Sequence, residues 1–298
     1  MIPFYIFYSM FGFQRVGDLA WAAGDMRSRG FLLGGTAGRT TLAGEGLQHQ
    51  DGHSLLLAST IPNCVSYDPT FAYEVAVIIQ DGLKRMYQDQ ESVFYYLTVM
   101  NENYIHPPMP AQEGVREGIL KGLYCWRESA DSPAPKVQLI GSGTILREVI
   151  AAADLLLADF GVTSDIWSAP SFTELRRDGL ATERWNLLHP EDTPQQAFVT
   201  QQLARRKGPV VAATDYMKLQ AEQIRAWVPA DYRVLGTDGF GRSDTRKNLR
   251  HFFEVDRYFI AIAALKALAD AGEVPLNTVR SALEKYGIDP NKVNPVLA

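Results

Sequence analysis

The stretch Gly34–His53 constrains this chain most, because six glycines (Gly34, Gly35, Gly38, Gly44, Gly46 and Gly52) alternate there with an arginine, two acids and two histidines. Ordering a glycine costs more backbone entropy than ordering any other residue, so this density marks tight turns or a close backbone approach to a ligand. The flanks say which layer the loop leaves. Upstream, Ile2–Phe7 reads as a buried strand running into a helix over 15–27. Downstream, Cys64–Pro69 reads as a strand and Thr70–Met86 as a helix with apolar Ala72, Val75, Ala76, Ile79 and Leu83 on one side. In open α/β sheets, sites form where loops leave the carboxyl ends of strands, and this loop joins two such units.

Beyond it, the Pro-rich His106–Pro110 closes a first unit, a helix follows over 113–121, and Ser129–Pro135 is a surface turn. A second α/β unit starts with the strand Val137–Gly143 and the helix Thr144–Phe160, which Gly161 stops before a strand Thr163–Ser168. Further strands are expected at 210–214 and 232–236 with a helix Met217–Trp227 between them, and helices at 246–251, 257–271 and 276–286. The expected fold class is α/β, two αβα units over residues 1–110 and 111–298. Gly141-Ser142-Gly143 at a strand end lacks the third glycine and later acid of a dinucleotide fingerprint and reads as a structural turn.

Composition narrows the function classes. With 46% hydrophobic residues, 21% charged residues and a net charge of −5, the chain has neither the basic surplus of a nucleic-acid binder nor the polarity of a disordered one. No apolar run reaches membrane-span length and no secretory signal is visible, so no nucleic acid and no membrane are expected as partners, and the cytoplasm is the default. Cys64 and Cys125 lie far apart without metal-ligand spacing and read as packing residues.

The residues then point to a family. Gly44-Glu45-Gly46-Leu47-Gln48-His49-Gln50 followed by Ile61-Pro62-Asn63 resembles the pyrimidine-binding domain of transketolase-like thiamine diphosphate enzymes. With Tyr8–Asp25, Ala213–Leu219, Leu235–Ser243 and the terminal Asn291–Pro295, the resemblance extends over the whole chain to the carboxyl-terminal third of the homodimeric pyruvate dehydrogenase decarboxylating components of bacteria. It implies a truncated pyrimidine-binding domain over 1–110 and a transketolase carboxyl-terminal-like domain over 111–298. The whole protein would decarboxylate pyruvate oxidatively with thiamine diphosphate and Mg2+, pass the acetyl group to the lipoyl domain of a dihydrolipoamide acetyltransferase component, and act as a homodimer. Its residue assignments place Phe11 against the aminopyrimidine, Tyr8 beside it and near the reacting centre, Arg15 in support, and His49 as the catalytic group on the substrate carboxylate or adduct oxygen.

Three further expectations follow. His53 stabilises the loop by hydrogen bonding, and Arg39 pairs with Glu45. The apolar opening strand calls for a neighbour supplied upstream, where the resemblance puts the diphosphate domain with its GDG…N metal motif and the activating glutamate. Neither is found here, and Thr237-Asp238-Gly239 only echoes the first, so no metal ligands are assigned and the isolated chain is expected to be inactive. Two other readings stand beside this one. A transketolase or deoxyxylulose phosphate synthase would keep the fold but need more cations for a phosphorylated sugar, and a non-catalytic dimerisation or assembly module would use the same surfaces without chemistry.

Overall fold

The structure, a computed structural model, describes residues 1–298. The chain runs β1 (Phe4–Tyr8), α1 (Gly12–Asp25), β2 (Phe31–Gly35), α2 (Ser54–Ser59), β3 (Cys64–Tyr67), α3 (Ala72–Leu83), β4 (Phe94–Thr98), α4 (Val115–Lys121), β5 (Tyr124–Arg127) and β6 (Lys136–Gly141). It continues α5 (Ile145–Phe160), β7 (Thr163–Ser168), α6 (Phe172–Leu188), α7 (Phe198–Leu203), β8 (Val210–Ala213), α8 (Leu219–Glu222), β9 (Tyr232–Leu235), α9 (Arg246–Phe252), α10 (Arg257–Asp270) and α11 (Leu276–Lys285).

Two sheets result, each sandwiched by helices. The first has the order β1-β2-β4-β3 and is parallel throughout; the second has the order β5-β7-β6-β8-β9, with only β5 antiparallel. A strand turns successive side chains to opposite faces, and the cores follow that period. In β4, Tyr95 and Leu97 join Ile78 of α3 and Ile119 of α4, while Phe94 and Tyr96 join Phe13 of α1 and Leu55 of α2. In the second sheet, Leu139 and Val211 pack with α5 and α10, and Ile140 and Ala212 with α6 and α7. Helix starts are held by side chains: Ser171 Oγ accepts from Glu174 N at 3.0 Å, and Asp256 accepts from Tyr258 N and Phe259 N, both at 3.0 Å.

Three expectations need correction. Ile2–Phe7 is strand but not a buried one: β1 has a single neighbour and forms the sheet edge, leaving Tyr5 and Ile6 each 63% exposed. The helix expected over 217–227 is a single turn, α8, followed by a separate tight turn over Arg225–Trp227. The Arg39–Glu45 pair does not form. Burial holds the guanidinium inside the seam between the sheets, whereas Glu45 is exposed and approaches His49 at 3.9 Å.

The Gly141–Gly143 turn is filled by protein. Ser142 Oγ donates to Asp68 Oδ2 at 2.8 Å, and a Cβ on Gly143, whose φ is +50°, would come within 2.8 Å of the Asp68 carboxylate. Cys64 is buried and Cys125 half-buried, both free, and burial pushes the Cys125 thiol up to about 11. No helix is long and apolar enough to cross a membrane.

Candidate functional site

The glycine-rich loop leaves the carboxyl end of β2, beside the point where β1 passes into α1. That geometry gathers four side chains from two segments. Tyr8 ends β1, and Phe11 and Arg15 stand at the start of α1. The His49 ring meets both aromatics edge-on, with centroids 5.6 Å from Tyr8 and 5.0 Å from Phe11. Tyr8 and Phe11 lie 5.9 Å apart, and the Arg15 guanidinium sits over the Phe11 ring at 4.1 Å. Tyr8 is exposed, Phe11 half-buried, and the His49 side chain keeps 27% of its surface open.

This patch is chemically unfinished. His49 Nδ1 is buried without a hydrogen-bond partner, an arrangement that carries a cost unless something accepts or donates there. Nε2 has only Glu45, at 3.9 Å and half open to solvent. The cluster therefore presents an imidazole next to an open aromatic wall on which a flat cation already rests.

The loop is held by partners far away in sequence. Asp51 accepts from His53 N at 3.0 Å and Ser54 N at 2.9 Å, capping α2, and Tyr96 OH donates to Ser54 Oγ at 2.8 Å. His53 Nε2 contacts Gln14 Nε2, tying the loop to α1; burial lowers the His53 pKa, with Asp51 opposing and Arg39 adding to the shift.

Residues from the second unit close the arrangement. Arg39 donates to Thr237 O at 3.1 Å and to Gly239 O, and burial lowers its pKa against the opposing charges of Asp51, Asp215 and Asp238. Gln50 Oε1 accepts from Arg242 N at 2.7 Å, Gly44 N donates to Asp244 O at 3.1 Å, and a Cβ on Gly46 would fall 2.1 Å from Ser243 Oγ. The segments Gly34–His53 and Leu235–Ser243, separate in sequence, are thus one structure. Asp215 completes it: Oδ1 accepts from Thr40 N at 2.9 Å and Thr40 Oγ at 2.6 Å, and Oδ2 from Thr41 N at 3.1 Å and Thr41 Oγ at 2.5 Å. Burial raises the Asp215 pKa, with Arg250, the two threonine hydroxyls and the Thr40 N–H opposing.

Sequence reasoning missed Asp215 and the structural role of Arg39. Asp215 sits inside the Ala213–Leu219 motif, but only the fold shows which loop it meets. The remaining histidines serve locally: His106 Nδ1 accepts from Ala72 N at 3.0 Å, His189 stacks on Trp185, and His251 pairs with Asp256.

The aromatic patch and the orphaned His49 nitrogen fit the flat ring of thiamine diphosphate beside a polar group to be bound. No three His, Cys, Asp or Glu side chains gather as a set that could hold its metal ion.

Comparison with known proteins finds relatives across both units. Residues 1–107 match the model of the pyruvate dehydrogenase E1 component middle domain, and residues 122–256 that of the transketolase-like TK C-terminal domain. The pyruvate dehydrogenase E1 component of Pseudomonas aeruginosa is 66% identical over 297 residues, covering 99% of this chain and 33% of that protein. That of Escherichia coli K12 is 61% identical over 300 residues, covering 100% and 33%. Among solved structures, transketolase from Campylobacter jejuni aligns with a TM-score of 0.66 at 18% identity over 89% of this chain and 36% of its own, which shows the fold. A split-gene transketolase, described as an inactive β4 tetramer, aligns with a TM-score of 0.59 at 16% identity over 90% of this chain and 77% of its own. The chain belongs to the pyruvate dehydrogenase E1 component family and spans 33% of the length of these two relatives.

Proposed function

We propose that this chain forms one wall of the active centre of an acetyl-transferring pyruvate dehydrogenase, with residues 1–110 as part of its pyrimidine-binding domain and 111–298 as its carboxyl-terminal domain. The observation that carries this reading is the 66% identity sustained over 99% of the chain with a protein of that name. Pyruvate is the substrate, thiamine diphosphate with Mg2+ the cofactor, and a lipoyl domain the acetyl acceptor, in a cytoplasmic homodimer. Bound thiamine diphosphate supplies the nucleophilic carbon and the electron sink for decarboxylation of a 2-oxoacid.

The chain's own residues would work around that chemistry. Phe11 and Tyr8 offer aromatic surface to the pyrimidine ring, and Arg15 holds over Phe11 the place that a flat conjugated ring can take. His49 hydrogen-bonds an oxygen of the substrate through Nε2, the ring nitrogen that faces only the half-exposed Glu45 at 3.9 Å. Tyr8 packs against the imidazole and limits its orientation. A ketoacid suits this wall better than a sugar phosphate, because the loop presents one open imidazole and no free arginine of its own: Arg39 is buried in backbone contacts.

The test replaces the matching third of the Pseudomonas aeruginosa relative with this chain and assays pyruvate oxidation in the assembled complex. The chimera is expected to be active, and His49→Ala is expected to lower its kcat/KM about 10²-fold with unchanged thermal stability. A folded chimera that binds cofactor yet does not turn over pyruvate would sink the reading. The 298-residue chain by itself is expected to show no decarboxylation of pyruvate.

A second reading has an observation of its own. The exposed apolar edge of β1 favours association, so an assembly role without chemistry predicts an oligomer of the chain whose size is indifferent to cofactor.

A further inference from the structure

We propose that the cleft between α5, α9 and the start of α10, on the far side of Thr41 from Asp215, binds a small phosphate-bearing anion. The cleft has a volume of about 700 Å3 and is open to solvent. Glu102, from the loop after β4, reaches into it across the seam between the two units.

The argument is one of charge. Glu102 receives Arg147 at 2.7 Å and Arg250, with Arg246 at 3.9 Å, so three guanidiniums share one carboxylate. Glu148 receives Arg257 at 2.9 Å and the same Arg250 at 3.6 Å. Four arginines thus rest on two acids. Lys247 lines the same cleft, exposed and without a carboxylate partner. The third lining acid, Asp256, is committed to capping α10 and to His251. Asp215 approaches Arg250 only from behind Thr41, where its oxygens are taken by Thr40 and Thr41.

Five cationic side chains face three lining carboxylates, with Asp215 a fourth acid behind Thr41, so a positive excess remains in a cleft of a chain whose net charge is −5. Like charges held together in a partly buried site repel, and an anion bound among them relieves that repulsion. Guanidinium forks match phosphate oxygens in a paired geometry, which a single carboxylate shared by three arginines cannot satisfy. Arg250 is itself 5% exposed and its Nε has no partner. The sign of the charge and the donor geometry match a phosphate group.

Titration of inorganic pyrophosphate into the full chain at low ionic strength, followed by calorimetry, tests this. Saturable binding to one site is expected, weakened about tenfold or more by Lys247→Glu. Lys207→Glu, which reverses an exposed charge in a different cleft, is the control and is expected to leave the affinity unchanged. Circular dichroism and Tm establish that both variants are folded. Absence of saturable binding, or equal weakening by the two reversals, would overturn the proposal.

Discussion

Asp215→Ala is expected to cost about 3–5 kcal/mol of folding stability, the range for removing one partner from a buried polar network. Four donors, the N–H and hydroxyl groups of Thr40 and Thr41, point at the two carboxylate oxygens, and alanine leaves the two amides with no acceptor in a place no water reaches. Arg250, also buried, loses a compensating charge at the same time. Asp215→Asn is expected to recover only part of the loss, because its amide nitrogen must face another N–H. For a chain of this size the alanine variant should lower Tm by on the order of 10 °C. Urea unfolding of the three proteins measures the differences, and a loss below about 1 kcal/mol for alanine would mean that the loop does not depend on this carboxylate.

The consequence reaches the site. Thr40 and Thr41 lie in the loop that carries His49, and Asp215 lies in the second unit, so the position of the imidazole is set partly by a residue outside its own sheet. Arg39 works in the same direction through Thr237 and Gly239. The two units are joined by polar contacts to the functional loop, which explains why the loop can be rich in glycine and still be ordered: its entropy cost is offset by bonds from across the seam.

Much of this was legible in the sequence, and the exceptions have physical reasons. Strand Thr163–Ser168 and helix 246–251 are readable to within a residue because period and caps agree: Gly161 stops α5 in the left-handed region, and Thr245 Oγ accepts from Asn248 N. The reading passes over β2 and β4, the two central strands of the first sheet. β2 ends in Gly34 and Gly35, which look like loop, and β4 is buried on both faces, so Phe94–Thr98 lacks the alternation that marks a strand. It also passes over α6, whose polar residues outweigh its apolar stripe. At the site, Tyr8, Phe11, Arg15 and His49 are nameable because their motifs are local and resemble a family. Asp215 and the true partners of Arg39 are not, since the contacts that define them span 175 and 198 residues. Glu45 misled for the same reason: adjacency in sequence suggested a pair that burial of Arg39 prevents.

Asp68 turns the same seam into a measurable dependence on pH. Its carboxyl is fully buried, accepts from Thr98 Oγ at 2.7 Å and Ser142 Oγ at 2.8 Å, and burial raises its pKa to about 7, the hydroxyls opposing and the nearby Asp215 and Glu74 adding to the shift. The unfolded chain titrates the same group near 3.9. A carboxyl whose folded pKa is the higher one binds its proton more tightly in the folded state, so its contribution to stability is complete below about 4 and is lost as pH rises through about 7. Between pH 5 and 8 that loss is on the order of 3 kcal/mol. Asp68→Asn keeps the shape and the neutral character at every pH. The stability of the wild-type chain relative to this variant is therefore expected to fall by about that amount from pH 5 to pH 8 in urea unfolding, most steeply below pH 7. Parallel pH profiles would show that Asp68 stays ionised in the fold, held by its two hydroxyl donors despite the burial.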